Sequence, residues 1–274
     1  MRLAEKAFVG VVAGGVLSGI LVLAPGAVAG AVWAQAPVTT PTTADEIVAR
    51  MTEHDRQRQA ALESYGSERT YRINYHGPMG DRSAVVLARM DFSSPDQKRF
   101  TVLSETGSTI FCHKVLRRMM EGEEEGALEA NHARSVLSAE NYNFVLAGED
   151  DVDGVKAWVL DVTPKVNEKF SYKGKVWVGM DDYAVVRIVG SPAKNPTWMT
   201  SSATFDYRYA RNGRFWLPQH NTMLSHVRMG GEVTLTVDYG TYDIVTTGQR
   251  PVVAAARESR GATGHIAPLA LAVR

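Results

Sequence analysis

The stretch Lys175–Val189, KVWVGMDDYAVVRIV, has the pattern of two short strands around a polar Asp-Asp turn. With a two-residue turn, Trp177 would share one face with Val186 and Ile188, and Val176 would lie on the other face. Both faces are then apolar. A strand pair of this kind must be covered on both sides, so what covers the second face bears directly on function.

The strands around this stretch alternate more regularly. Tyr71, Ile73 and Tyr75 alternate with polar residues, which predicts one buried and one solvated face. Asp153-Gly154 and Asn212-Gly213 are typical of tight hairpin turns. The pattern predicts an antiparallel meander of roughly ten to eleven strands in a single α+β domain.

Helical patterns occur before the first strand and after the third. Thr43 and Glu46 have the spacing of a capping box that opens a helix. The later helical region is predicted at 110–120 and 127–139, separated by the acidic run EGEEEG at 121–126, which we interpret as a solvated loop. The apolar side of the first helix is predicted to contain Ile47, Val48, Met51, Leu62 and Tyr65.

The ends of the chain differ in composition from its middle. Residues 1–36 are typical of an export signal, because Arg2 and Lys6 precede an apolar, glycine-rich run. A retained membrane anchor is the alternative. We predict a linker at 37–42, one folded domain at 43–245 and a flexible tail at 246–274.

Cleavage is expected after Ala29, Ala34 or Ala36, which end small-residue patterns. The only cysteine, Cys112, lies far from these sites, so we expect no lipid-anchored N-terminus and no internal disulfide. The processed chain is predicted to be a soluble periplasmic protein.

Composition and motifs argue against several classes of function. The 30 basic and 30 acidic residues balance, so no net field attracts nucleic acid. The chain lacks the common hydrolase, zinc and phosphate-binding motifs. Cys112-His113 are neighbours on a predicted helix and diverge by about 100°, and the run after Glu149 has Leu160 where a calcium loop needs a carboxylate. We therefore predict no catalytic residues, no metal and no cofactor.

Aromatic and aliphatic residues within the sheet are the candidates for a ligand site. The alternative is that they simply fill a core. An unfilled apolar groove would suit an acyl chain, since each buried CH₂ is worth about 0.8 kcal/mol. The predicted cavity residues are Trp158, Leu160, Trp177, Val186, Ile188, Phe205, Tyr207 and Trp216.

Three segments, 141–148, 154–165 and 174–188, resemble the LolA/LolB lipoprotein-carrier superfamily and the related RseB/MucB N-terminal domain in the order of their strands and turns. The resemblance implies a curved half-barrel sheet whose concave face is covered by helices over an apolar cavity. One departure is that 107–114 predicts a helix where those carriers continue with a strand.

The expected function is a monomeric, non-enzymatic periplasmic carrier or chaperone. Its partner would be an acyl chain or the lipid of a lipoprotein, as the resemblance implies. The alternative is an envelope sensor that binds another protein, with the acidic run and the tail as docking elements.

Overall fold

The computed structural model describes residues 43–248 except 79, 196 and 198. They form an open, curved antiparallel sheet of ten strands with helices packed on its concave face. The predicted α+β half-barrel is therefore confirmed. The predicted signal and linker, and the tail beyond 248, lie outside the described residues.

The described elements run as follows. The helices are α1 (Ala44–Ala60), α2 (Arg117–Ala127) and α3 (Glu129–Ser135), with a π-helical turn at Phe111–Leu116 leading into α2. The strands are β1 (Leu62–His76), β2 (Arg82–Ser93), β3 (Gln97–Gly107), β4 (Tyr142–Val152), β5 (Val155–Pro164), β6 (Tyr172–Gly179), β7 (Val185–Pro192), β8 (Thr200–Asn212), β9 (Phe215–Val227) and β10 (Glu232–Thr246).

The sheet order is β3-β2-β1-β10-β9-β8-β7-β6-β5-β4. Every pair except β1 with β10 joins strands that follow each other in the chain. Because β3 and β4 form the two edges, the helical segment between them is the connection that crosses from one edge of the open sheet to the other. Helices α2 and α3 therefore lie in the connection between the two edge strands.

The first helix begins as predicted. The Thr43 hydroxyl accepts a hydrogen bond from the Glu46 amide at 3.3 Å, and Ile47 is buried against the sheet. Its predicted apolar side is wrong at Leu62 and Tyr65, which belong to β1. The helix ends at Ala60 because the next residues pair with β10 and take the period of a strand.

The acidic run at 121–126 is not a loop. It lies within α2, and Glu123 is only 3% exposed. The acidic composition suggested a solvated loop, but glutamate is a good helix former and Glu123 has buried cationic partners. The predicted helix at 110–120 is confirmed, and the one predicted at 127–139 is shorter, as α3.

The turn in the opening stretch spans five residues, Met180–Ala184, rather than two. It is closed by hydrogen bonds from the Tyr183 amide to the Gly179 carbonyl and from the Gly179 amide to the Ala184 carbonyl, at 3.0 and 2.8 Å. The longer turn leaves the adjacent register as a two-residue turn would set it, because Val178 still lies opposite Val185.

In the observed register Val176 lies opposite Ile188, and Trp177 lies opposite Arg187. The predicted shared face of Trp177 and Ile188 is therefore wrong. The register shift between Trp177 and Val178, rather than the turn, changes the pairing beyond that point. Ile188 therefore faces the main core, while Val186 stays on the face of Trp177 as predicted.

Both faces of this strand pair are apolar, as predicted. On the concave face Val176 and Val178 join the main core. On the convex face the chain itself supplies the cover, because the Arg187 guanidinium lies 5.0 Å above the Trp177 ring and the Trp177 indole donates to Asp150 at 2.9 Å. The convex cluster, as we term it, consists of Val152, Ala157, Val159, Trp177 and Val186.

Gly174 allows β6 and β7 to approach closely. A Cβ there would lie 2.5 Å from the Gly190 Cα and still closer to the Val189 carbonyl oxygen, on a backbone with φ of 154°. We expect Gly174→Ala to lower the free energy of unfolding by about 2–3 kcal/mol. Gly154→Ala, at φ 85° with open space around it, is the matched control and should cost about 1 kcal/mol. Equal losses in urea denaturation would contradict the steric explanation.

Candidate ligand-binding cavity

A cavity of about 210 Å³ lies between α1, α2 and the concave face of the sheet. One end of its wall is an apolar cluster built from inward-facing residues of β1, β2 and β9. Leu62, Phe92, Phe215 and Leu217 belong to this cluster and border the cavity. Further apolar borders come from Met51, Ala127, Val136, Leu137, Phe170, Val185 and Ile188.

A buried group of charges borders the same cavity. Arg69 of β1 donates from Nη1 to the Glu123 carboxylate of α2 at 2.7 Å, and the Tyr71 hydroxyl lies 3.1 Å from the other carboxylate oxygen. The Lys98 ammonium of β3 is 3.6 Å from Glu123. The side chains of Arg69, Lys98 and Glu123 are 2, 5 and 1% exposed, so this cationic group, as we call these three residues, is removed from bulk water.

Burial and mutual attraction act against each other in the cationic group. Burial lowers the pKa of Lys98, and the positive charge of Arg69 adds to that effect, while Glu123 opposes it. Burial alone would also lower the pKa of Arg69, but Glu123 and the surrounding tyrosines hold it above its ordinary value. The group therefore depends mainly on the carboxylate of Glu123 to keep two cations in the interior, with a smaller contribution from Glu124 at Lys98.

Aromatic rings enclose the Arg69 guanidinium. Its central carbon lies 4.7 Å from the centre of the Tyr239 ring and 5.4 Å from that of Phe100. The Nε–H of Arg69 is buried without a hydrogen-bond partner. An unpaired buried donor costs about 1–3 kcal/mol, so this atom is a place where an acceptor would be favoured.

The opposite border of the cavity is formed by the last turn of α1. Gln59 donates to the Asp55 carboxylate at 2.8 Å, and an Arg58 nitrogen lies 3.7 Å from Asp55. Burial raises the pKa of Asp55 to about 6, although Arg58 and Gln59 partly oppose the rise. This carboxyl group therefore titrates between weakly acidic and neutral pH.

The turn at Met180–Ala184 holds α1 in place over the cavity. Arg58 donates to the Asp182 carbonyl at 3.0 Å. Tyr183, in a left-handed conformation at φ 55°, stacks on Trp158 with ring centres 5.3 Å apart and contacts the His54 ring of α1 at 5.2 Å. The stretch with apolar residues on both faces thus also determines where the covering helix lies.

The predicted cavity residues fall into three groups. Trp158, Leu160, Ile188, Phe205 and Tyr207 belong to the main core, and Trp177 and Val186 belong to the convex cluster. Trp216 is half-buried, packs against the convex cluster and donates to Asp182 at 2.7 Å. Of the eight, Ile188 and Trp216 border the cavity. A ligand-binding role for these residues stays a prediction.

The sequence reasoning missed the cationic group, although a signal was present. Arg69 has the same strand parity as Tyr71, Ile73 and Tyr75, which places a charge at an inward position. Glu123 follows Met119 and Met120 at helical spacing, on the face that packs on the sheet. A charged residue at a core position requires a partner, and that rule could have linked the two elements.

The remaining candidates have ordinary surroundings. The Cys112 thiol is buried beside the Thr106 carbonyl at 3.6 Å, and burial raises its pKa. Within the part of the chain that the structure describes, no group of three or more His, Cys, Asp or Glu side chains is placed to hold a metal ion. None of the helices described between 43 and 248 is long and apolar enough to cross a membrane.

No family model and no curated protein matches the chain. Among solved structures it is similar to a DUF1329 family protein from Desulfovibrio piger, at 16% identity and TM-score 0.39 over 75% of this chain and 92% of that one. A LolA superfamily protein from Nitrosomonas europaea has 12% identity and TM-score 0.36 over 75% and 94%. Pseudomonas aeruginosa MucB, solved with MucA, has 11% identity and TM-score 0.23 over 72% and 93%. These likenesses concern the fold alone.

Replacing Trp177 distinguishes a packing role from a ligand-binding role. Because its indole is buried in the convex cluster and bonded to Asp150, we expect Trp177→Ala to cost about 3–5 kcal/mol of unfolding free energy. Ligand affinity should be unchanged. Trp177→Phe, which keeps an aromatic ring, should lose much less. A small loss in urea denaturation together with altered affinity would instead place Trp177 at the ligand.

The raised pKa of Asp55 makes stability depend on pH. The folded state, with its pKa of about 6, holds the proton more tightly than the unfolded chain near 3.8, so the stabilisation is present at low pH and is lost as pH rises through 6. Asp55→Asn cannot ionise, so its stability relative to the original protein should rise by about 2–3 kcal/mol between pH 4 and 7.5. Urea denaturation across this range measures the difference. A difference that does not change with pH would contradict the assignment.

Proposed function

We propose that this chain is a binding protein that carries one apolar or amphiphilic small molecule in its concave cavity, without chemical conversion. The observation that carries the proposal is the cavity itself, which lies between α1, α2 and the sheet and is bordered mainly by aliphatic and aromatic side chains. Exported carriers of acyl chains need such a space, because the chain must leave water at every step of transfer.

The size of the cavity supports a ligand of this kind. Its volume of about 210 Å³ exceeds the roughly 150 Å³ of an engineered apolar cavity that accommodates benzene. Since each buried CH₂ contributes about 0.8 kcal/mol, a short run of methylenes is sufficient for measurable affinity. An acyl chain, free or as part of a lipoprotein, is the ligand class with this chemistry.

The wider organisation belongs to the same proposal. Residues 1–36 would direct export to the periplasm, 37–42 would be a linker, 43–245 would be the binding domain, and 246–274 would be a flexible tail. The acidic run at 121–126 does not support the envelope-sensor alternative as a docking element. Glu123 faces the interior, Glu124 accepts from the Phe100 amide, and Glu125 pairs with Lys169.

Filling the cavity tests the carrier function. Gly126 borders the cavity in α2, and a Cβ there meets only the Phe170 ring at ordinary contact distances of 3.6–4.0 Å. We expect Gly126→Leu to fold and to reduce binding of a fluorescent fatty acid about tenfold or more, which corresponds to losing roughly two buried methylenes. Glu121→Leu, at an exposed position of the same helix, is the matched control and should bind normally.

A ligand that the cavity carries can be identified directly from the purified protein. Organic extraction and mass spectrometry should find an acyl compound in the original chain and less of it in Gly126→Leu. If the chain is empty and does not bind the fluorescent fatty acid, the carrier proposal is wrong. A stoichiometric envelope protein bound to an empty chain would favour the sensor alternative.

A further inference from the structure

We propose that the ligand is an anionic amphiphile whose carboxylate lies at Arg69 and Lys98 and whose chain lies along the apolar cluster of β1, β2 and β9. The inference rests on the proposed function and specifies the ligand class. The observation behind it is that one cavity is bordered by more cations than carboxylates and also by an apolar wall.

The charges that border the cavity do not balance. Three cations, Arg58, Arg69 and Lys98, face two carboxylates, Asp55 and Glu123. Asp55 is next to Arg58 at the α1 border, which leaves two cations for the single carboxylate of Glu123. The surplus at the cationic group is one positive charge, which equals the charge of one carboxylate ligand. Glu124 also attracts Lys98, but its carboxylate accepts a hydrogen bond from the Phe100 amide and it is not among the residues that border the cavity.

The two cations have hydrogen-bonding capacity that the protein leaves unused. The Arg69 Nε–H is buried without a partner, as described above. Lys98 is 3.6 Å from Glu123, longer than the roughly 2.7–2.9 Å of a well-formed charge-assisted hydrogen bond. A second carboxylate could therefore accept from Arg69 and Lys98 without displacing Glu123 from its 2.7 Å bond to Arg69.

The neighbouring surface selects for a chain attached to that carboxylate. Tyr65, Leu62 and Phe92 border the same cavity as Arg69 and continue into the apolar cluster. A small anion would satisfy the charge but leave this surface uncovered, and an uncharged chain would leave the surplus cation unpaired. A fatty acid meets both requirements, because its burial is favoured by the chain and its charge by the cationic group.

The test compares ligands that share a chain or a charge. Isothermal titration at pH 7.5 uses decanoate, decanol and acetate with the full chain. We expect decanoate to bind about tenfold or more tightly than decanol, as one charge-assisted interaction in a buried site provides. Acetate, which lacks the chain, should bind at least a hundredfold more weakly than decanoate.

Two variants change the net charge of the cationic group in opposite directions. Lys98→Met removes the surplus cation and leaves the Arg69–Glu123 pair intact, so it should fold and bind decanoate no more tightly than decanol. Glu123→Gln raises the surplus to two and should increase the preference. Lys98→Met decides the question alone if Glu123→Gln does not fold.

The outcomes separate the two proposals. Equal binding of decanoate and decanol, or a preference that survives in Lys98→Met, overturns the anionic ligand and leaves the carrier function standing. Acetate binding as tightly as decanoate overturns the role of the chain. Failure of both decanoate and decanol to bind overturns the carrier function, and the ligand class with it.

Discussion

The ion pair between Arg69 and Glu123 is the interaction on which the arrangement of this protein depends. It connects β1, next to the junction where the first and last strands pair, to α2, which belongs to the insertion between the two sheet edges. Removing either partner would leave an unpaired charge in the interior, at a cost of about 3–5 kcal/mol. The pair therefore favours the one position of α2 that brings Glu123 over the concave face. That position leaves a cavity rather than a continuous core.

The second constraint is the turn at Met180–Ala184. It places Tyr183 between Trp158 and α1 and presents the Asp182 carbonyl to Arg58. The buried face of α1 and its contacts with this turn together determine how the helix covers the cavity. An open sheet needs such covers, because its concave apolar surface would otherwise be exposed to water.

The cavity combines a charged group with an apolar wall for a structural reason. Residues of one strand alternate between faces, so Arg69 shares its inward face with Tyr71 and Ile73. Helix α2 contributes Glu123 as the one buried carboxylate that pairs with two cations, Arg69 of β1 and Lys98 of β3. The same interior surface thereby becomes both apolar and positively charged, a combination that an amphiphilic anion complements.

The sequence by itself determined the strand order of a meander, the helical insertion after the third strand and the Thr43 cap, because these depend on local period, turn chemistry and capping. It also carried the signs of a buried charge at Arg69 and Glu123. Only the tertiary structure decided that Trp177 and Ile188 lie on opposite faces, since a register shift between Trp177 and Val178 changes the pairing of β6 with β7. Tertiary packing likewise made 121–126 a helix, because the cations that satisfy Glu123 come from strands far away in the chain. The cavity is likewise a product of tertiary structure. Its borders come from α1, α2 and several strands, and no local pattern specifies how they meet.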